Sequence, residues 1–493
     1  MQALFDAVNA ICAKIQIISN WFWDFPCNLD WYGSIPILGN FSLAIILLVG
    51  TGIYFTFRLH FVQVHNFLFA IKVLMQRNHT RNGISSLTAF LLSTAMRVGP
   101  GNILGVTGAI SIGGPGALFW MWVSAFFGMA TSFAESTLSQ IFKEKRDNEY
   151  VGGLPFYARK LLNDSAAAGV ALSMLYIVYA LLCFPAQGFN TISAVGAIAS
   201  KITGVNIPTN SSLYWISFAV LIVITAVISF GGIKKVTKVT DRIVPVMAVI
   251  YVLTVIALTV GNIDRIPLFF SSVFTQAFAP DAVFGGAFGL ALSQGIKRGL
   301  MSNEAGQGTI TMPAAAAEVS HPCEQGCVQA LGVFLDTIVI CTMTGLSIIV
   351  SGAWNGDLNG AALTEAAFAS AFPAVAKYVL TGGLVLFAFT TIIGWSYYGE
   401  RCAEYLFGVK CIMPYRIGYI ILVGLGVFLK LEMIWIIADI VNGLMAIPNL
   451  IALLGLSGVV VAETKLYFEH WEKVHSRRKQ LAEIREDLAT ENN

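Results

Sequence analysis

Charge is what this 493-residue chain has least of: Asp, Glu, Lys and Arg make up 12% of it, against 56% hydrophobic residues. Soluble domains carry about 25% charged residues. Half that share excludes an ordinary cytosolic enzyme, and the apolar content excludes disorder. The 30 basic residues nearly balance the 28 acidic ones, so no cationic excess points to nucleic acid. Histidine is scarce. All six residues (His60, His65, His79, His321, His470 and His475) fall in segments read as cytoplasmic, which excludes a His-x-x-x-His metal site inside a span. No Gly-x-x-x-x-Gly-Lys-Ser/Thr loop occurs, so ATP is not expected to drive this chain and no cofactor is expected. The eight cysteines are scattered and do not read as a disulfide framework, although Cys12 and Cys27 share one side. His321, Cys323 and Cys327 lie close together, but no second ligand pair follows at zinc-site spacing, so they read as a loop with two thiols. The first 20 residues carry Asp6 within the apolar stretch and no small-residue cleavage site, unlike a signal peptide.

What the chain has in abundance is long apolar runs. A membrane helix needs about 20 apolar residues. Eleven spans are expected, near 38–57, 85–112, 115–142, 169–199, 213–231, 241–260, 281–301, 326–351, 375–397, 414–430 and 433–462. Residues 1–37 read as an N-terminal interfacial segment, with Trp21, Trp23 and Trp31 at headgroup level. Residues 38–462 read as the transmembrane domain and 463–493 as a charged cytoplasmic tail. Basic residues cluster in alternate loops: Arg58, Lys72, Arg77 and Arg81; Lys143, Lys145, Arg146, Arg159 and Lys160; Lys234, Lys235, Lys238 and Arg242; Lys297 and Arg298; Arg401, Lys410 and Arg416. Six more lie in the tail, and the opposite side has Lys14, Lys201, Arg265, Lys377 and Lys430. This bias predicts an N-terminus outside and a C-terminus in the cytoplasm of a bacterial inner membrane.

Two spans contain helix breakers. In Met96-Arg97-Val98-Gly99-Pro100-Gly101-Asn102-Ile103, Pro100 lacks an amide hydrogen and its neighbours permit unwinding. Lipid cannot satisfy the freed carbonyls, so they must face protein, water or an ion. The second span reads Phe284-Gly285-Gly286-Ala287-Phe288-Gly289, which is either a second break or a close-packing face of small residues. With span one set aside, ten spans divide into halves, about 85–260 and 281–462, each opened by an interrupted helix. Discontinuous helices at matching positions of inverted halves point to a secondary transporter site, with half-helix ends for a carboxylate and a cation. Arg97-x-x-x-x-Asn102 and Arg298-x-x-x-x-Asn303 share a spacing, read as coincidence because Arg298 is placed at the cytoplasmic end.

The block 97–103, followed by Gly113-Gly114-Pro115-Gly116-Ala117 and Phe119-Trp120-Met121-Trp122, then by Arg298-Gly299-Leu300-Met301-Ser302-Asn303-Glu304-Ala305-Gly306 and by Gly394-Trp395-Ser396-Tyr397-Tyr398-Gly399-Glu400, resembles the alanine or glycine:cation symporter family. The resemblance implies an all-α polytopic membrane protein of eleven helices, the last ten a 5+5 inverted repeat in the leucine-transporter-like fold. It implies a carrier, not an enzyme, that moves a small neutral amino acid (alanine or glycine, with D-alanine or serine as further candidates) with Na+. The runner-up is a proton-coupled or glutamine-type carrier of the same fold. No partner is expected beyond substrate, Na+ and lipid, and a monomer is expected. Carried over by motif, the substrate residues are Arg97, Gly99, Gly101, Asn102, Phe284, Gly285, Gly289, Thr391 and Trp395. Na+ is the only metal, held by Val98, Gly101, Thr390 and Thr391, since hard cations take oxygen ligands. Two departures stand out. Pro100 replaces the family's usual Thr, and the stretch 184–191 has Pro185 and Gly188, where Gln187 and Asn190 are expected to supply substrate amides. Arg97, Glu135 and Asp336 are the ionisable groups expected at membrane depth. There each wants a partner, and an Arg97–acid pair is expected to fasten helices or to gate.

Overall fold

The computed structural model describes residues 17, 21, 23–35, 38–76, 80, 83–146, 149–205, 207, 211–278, 287–356, 358, 360–371, 376–426, 431–470 and 473. The expected interfacial helix and the far end of the tail lie outside them, as do Phe284 and Gly285. The described parts of the expected spans are mostly helical. In chain order the described helices used below are α1 (Leu43–Arg58), α2 (Phe67–Met75), α3 (Ser86–Arg97), α4 (Val106–Gly113), α5 (Gly116–Ile141), α6 (Leu154–Leu161), α7 (Ala166–Thr203), α8 (Ser212–Ser229), α9 (Gly232–Val260), α10 (Ile266–Ala277), α11 (Ala287–Asn303), α12 (Thr311–Ala316), α13 (Pro322–Val333), α14 (Thr342–Ser351), α15 (Gly360–Ala371), α16 (Ala376–Phe407), α17 (Ile412–Leu425) and α18 (Leu431–Gly455). Among the described residues six helices are individually long and apolar enough to cross a membrane, and a bent pair at 441–455 and 457–470 adds a seventh crossing. One short antiparallel hairpin, Glu144–Arg146 with Glu149–Val151, interrupts the otherwise helical chain after α5.

Local chemistry explains the helix boundaries. Ser42 caps α1 by accepting from the Ile45 N–H at 3.3 Å, and Ser85 caps α3 by accepting from the Thr88 N–H at 3.1 Å. After α3, Val98 turns extended and Pro100 opens a π-helical turn over Gly101–Gly105 that leads into α4. The first expected break is therefore present. Phe284, Gly285 and Gly286 of the second expected break lie outside the described residues, and a break that the glycine reading did not name follows further along the chain. α11 runs unbroken through Gly289 and Gly295 to Asn303. The chain leaves the helix at Glu304, which has φ of 55°, passes Gly306 and Gly308 in the left-handed region, and resumes at Thr311. The glycines before the break serve close packing: a Cβ on Gly295 would strike the Ala117 carbonyl of α5, and one on Gly289 would lie 2.5 Å from Asn40 Oδ1.

This corrects the charge map as well. Lys297 and Arg298 belong to α11 and not to a cytoplasmic loop, and the Lys297 ammonium sits 5.4 Å from the ring centre of Trp23 in the N-terminal segment. α7 remains one helix of 38 residues through Pro185. Gly188 serves there as a contact point, since a Cβ would meet the Val423 carbonyl of α17.

Candidate substrate cavity at the broken helices

Each break is held by side chains from the opposite half of the chain. At the first, Asn102 Oδ1 accepts the Gly99 N–H at 2.8 Å, and its Nδ2 donates to Asp336 Oδ1 at 2.6 Å. Asp336 also accepts from Ser302 and Thr337, both at 2.8 Å. At the second, Glu135 accepts the N–H groups of Gly306 (3.3 Å) and Gly308 (3.2 Å) and the Asn449 amide (2.8 Å). Asn303 ends α11 by accepting from the Ala305 N–H at 3.0 Å, much as Asn102 serves the first break. Both asparagines of the shared spacing thus accept a backbone N–H at a break, Asn102 from the residue three before it and Asn303 from the residue two after it.

The expected ion pair is absent among the described contacts. Arg97 donates to the Gln329 carbonyl (3.1 Å) and side chain (3.3 Å) and to Ser132 (3.0 Å), while Glu135 and Asp336 are taken up by the donors above. Arg97 is 2% exposed, and room for it depends on Gly332, where a Cβ would strike its Nη1.

A cavity opens where the first break faces α7 and α16. Met96, Arg97, Gly99, Pro100 and Gly101 form one wall; Tyr179, Cys183, Ala186, Gln187 and Asn190 a second; Met301, Thr391, Trp395 and Asn442 complete it. The structure thus brings together Arg97, Gly99, Gly101, Gln187, Asn190, Thr391 and Trp395 of the expected set. Asn102 stands behind the wall as a brace. Val98 packs its side chain into the core beyond, and Gly289 lines a separate opening beside Trp23 and Asn40. Thr391 Oγ1 lies 2.5 Å from the position of a Cβ on Gly99 and donates to the Phe387 carbonyl at 2.8 Å, leaving its lone pairs toward the break. Thr390 points elsewhere, donating to the Leu386 carbonyl at 3.0 Å beside Met247 of α9.

Glu304 has no role in the sequence reading, yet it governs the cavity ceiling. It is 1% exposed, accepts from Trp395 Nε1 at 2.8 Å and from Thr309 at 2.6 Å, and so holds the indole against Tyr179, whose ring centre is 5.7 Å away. An acid beside two glycines, Glu304-Ala305-Gly306-Gln307-Gly308, was the available signal. Two buried polar atoms in residues of the cavity wall have no partner among the described residues: Gln187 Oε1 and Arg97 Nε.

The start of α3 and the end of α12 are tied as well. The Ile84 N–H donates to the Ala316 carbonyl at 3.0 Å and the Glu318 N–H to the Ile84 carbonyl at 2.9 Å. Lys143 donates to the Ala317 carbonyl at 2.8 Å. Burial pushes its ammonium down to about 8, against the opposing pull of Glu318.

Residues 34–481 match the model of the sodium:alanine symporter family. The sodium/alanine symporter AgcS of Methanococcus maripaludis is 42% identical over 433 residues, covering 86% of this chain and 94% of that protein. The probable sodium/glutamine symporter GlnT of Bacillus subtilis is 40% identical over 86% of this chain and 88% of its own. An uncharacterized transporter of Haemophilus influenzae is 41% identical over 87% of this chain and 94% of its own. In fold the chain is similar to MhsT in its crystal structure with L-phenylalanine, with a TM-score of 0.56 at 13% identity over 79% of this chain and 99% of that one. The fold is therefore leucine-transporter-like, and the chain, a multi-pass membrane transporter, belongs to the sodium:alanine symporter family.

Proposed function

We propose that this protein imports a small neutral amino acid together with Na+ by alternating access. The observation that carries the reading is the pair of unpartnered polar atoms, Gln187 Oε1 and Arg97 Nε, in the walls of one cavity beside an unwound helix. A buried polar atom without a partner costs about 1–3 kcal/mol. A zwitterion supplies both missing groups, its ammonium to Gln187 and its carboxylate to Arg97. The positive end of the turn at Gly101 adds to the carboxylate's field. Na+ takes the oxygens at the negative end of α3, around Val98–Gly101, with the Thr391 hydroxyl. Its charge beside the substrate carboxylate makes the two bind cooperatively.

Trp395, pinned by Glu304, limits side-chain size. Replacing it with Phe removes the pin and part of the ceiling. Discrimination against leucine-sized substrates is expected to fall about tenfold or more, read by competition against labelled alanine.

The helix order and the remaining loop charges support an N-terminus outside and a C-terminus in the cytoplasm of a bacterial inner membrane. They equally support residues 38–462 as the transporter domain with halves near 85–260 and 281–462. Transport of one Na+ per zwitterion moves one charge. At 100 mV this supplies about 2.3 kcal/mol, and a tenfold Na+ gradient about 1.4 kcal/mol, together enough for roughly 500-fold accumulation. The test is uptake of labelled alanine into proteoliposomes under an inward Na+ gradient, and then under a proton gradient with choline replacing Na+. Uptake driven only by Na+ and competed by glycine or serine is expected. Uptake driven by protons alone, or competed by glutamine and not by glycine, overturns the reading.

A further inference from the structure

The outer face of α9 changes character along its length. Val246, Val249, Leu253, Ile256 and Val260 are exposed apolar residues, while Lys234, Lys235, Lys238 and Arg242 are the exposed residues of its first three turns. At 100° per residue the four cations fall within about 100° of arc, and the five apolar residues continue the same stripe within about 20° of it. The opposite face, with Val236, Thr240, Val244, Met247, Tyr251, Val255 and Leu258, is buried. Lys234 and Arg242 are about 12 Å apart along the axis, and roughly 21 Å of apolar helix follows between Val246 and Val260.

Four of the other cations on that side are engaged with carboxylates: Arg159 with Glu144 at 2.5 Å, Lys160 with Asp164 at 2.7 Å, Arg401 with Glu400 at 2.9 Å and Arg416 with Glu400 at 2.7 Å. Among the described residues the four on α9 have no carboxylate, carbonyl or aromatic partner. The acid on the same helix, Asp241, is turned inward and accepts from Thr88 of α3 at 3.3 Å. Four such cations stacked directly beneath a lipid-facing apolar stripe form a surface whose complement has negative charge at one end and hydrocarbon at the other.

We propose that this stripe is a binding site for an anionic phospholipid, its phosphate held by Lys234, Lys235, Lys238 and Arg242 and an acyl chain lying along Val246 to Val260. The proposal rests on the membrane placement given above, with the start of α9 on the cytoplasmic side. It reaches transport through Thr88–Asp241. That bond ties the cytoplasmic half of the first broken helix to the lipid-anchored end of α9, so the headgroup steadies the helix against which α3 moves.

The test is thermal stabilisation of the purified full chain in detergent on addition of phosphatidylglycerol, cardiolipin, phosphatidylcholine or inorganic phosphate. The expected result is a rise in Tm with the two anionic lipids and none with phosphatidylcholine or phosphate. Each juxtamembrane cation contributes about a fivefold gain in affinity for an anionic surface. The quadruple variant K234Q/K235Q/K238Q/R242Q should therefore lose the effect. The double variant K234Q/K238Q should shift its half-maximal lipid concentration about tenfold or more, and a variant with the three lysines changed to Arg should keep it. If the quadruple variant fails to fold, the double variant decides. Equal stabilisation by phosphatidylcholine, or an unchanged response in the double variant, overturns the proposal. The readout needs no transport, so a lipid-selective protein that moves no alanine would refute the substrate reading alone.

Discussion

Glu135→Ala is expected to leave almost no folded transporter in the membrane. One carboxylate accepts from Gly306, Gly308 and Asn449, and it projects from a part of α5 that is fully buried. Alanine leaves two backbone N–H groups and one amide without an acceptor. At about 1–3 kcal/mol for each orphaned group, the loss is about 3–9 kcal/mol, comparable with the whole folding stability of many proteins. Between Glu304 and Ile310 the backbone bonds are few, the Glu304 N–H to the Leu300 carbonyl at 3.0 Å and the Gln307 N–H to the Glu304 carbonyl at 3.1 Å, so the loss concentrates where the two half-helices α11 and α12 must stay in register. Size-exclusion profiles and thermal melts of detergent-extracted protein check it. Glu135→Gln keeps one acceptor oxygen and is expected to fold with a lowered Tm. Alteration of Glu469, an exposed residue whose carboxylate lies 3.8 Å from Lys465, is expected to leave the profile intact. Wild-type yield and Tm for Glu135→Ala would show that the break holds itself open without the carboxylate.

Gly99→Ala and Thr391→Val are expected to abolish or cripple Na+ dependence while Thr390→Val leaves it within about threefold. The methyl group that Gly99→Ala adds would lie 2.5 Å from Thr391 Oγ1, which the Phe387 carbonyl holds in place. The break must then move off α16, separating the oxygens proposed for the ion. Thr391→Val is the gentler change. It removes one hydroxyl from a charged ligand, worth about 1.5–3 kcal/mol, so the Na+ concentration for half-maximal uptake should rise at least tenfold. Thr390 differs in direction: both hydroxyls donate to a carbonyl of their own helix, but that of Thr390 lies beside Met247 of α9 and that of Thr391 beside Gly99. Initial rates of alanine uptake against Na+ concentration separate the three. An effect of Thr390→Val as large as that of Thr391→Val would move the ion toward α9, away from the cavity.

The contrast between these two threonines shows where sequence reasoning stops. Both are adjacent hydroxyl residues in one apolar helix, and both qualify as oxygen ligands by chemistry. A 100° turn of the helix sends one to the break and the other to α9. The same holds for Arg97. Its burial at membrane depth follows from the hydropathy around it, which demands a partner. That the partners are Gln329 and Ser132, 232 and 35 residues away, and not Glu135 or Asp336, depends on which faces of α3, α5 and α13 meet.

The helical class, the membrane-spanning character and the first break were determined by sequence alone. Lipid demands long apolar runs, and Pro100 removes a helical hydrogen bond where a glycine on each side permits unwinding. Glycine in a membrane helix serves unwinding and close packing equally well, so the sequence alone did not show that the chain leaves α11 at Glu304. Only the tertiary structure decided between them, by setting α11 against α5 at Gly295 and by aiming Glu135 at the amides of Gly306 and Gly308. It likewise decided that Glu304 pins Trp395 over the cavity, since that contact joins α16 to the break at the end of α11 across 91 residues of chain. Hydropathy and local breakers are properties of neighbours in sequence; the partners of buried charges are properties of helix faces brought together by packing.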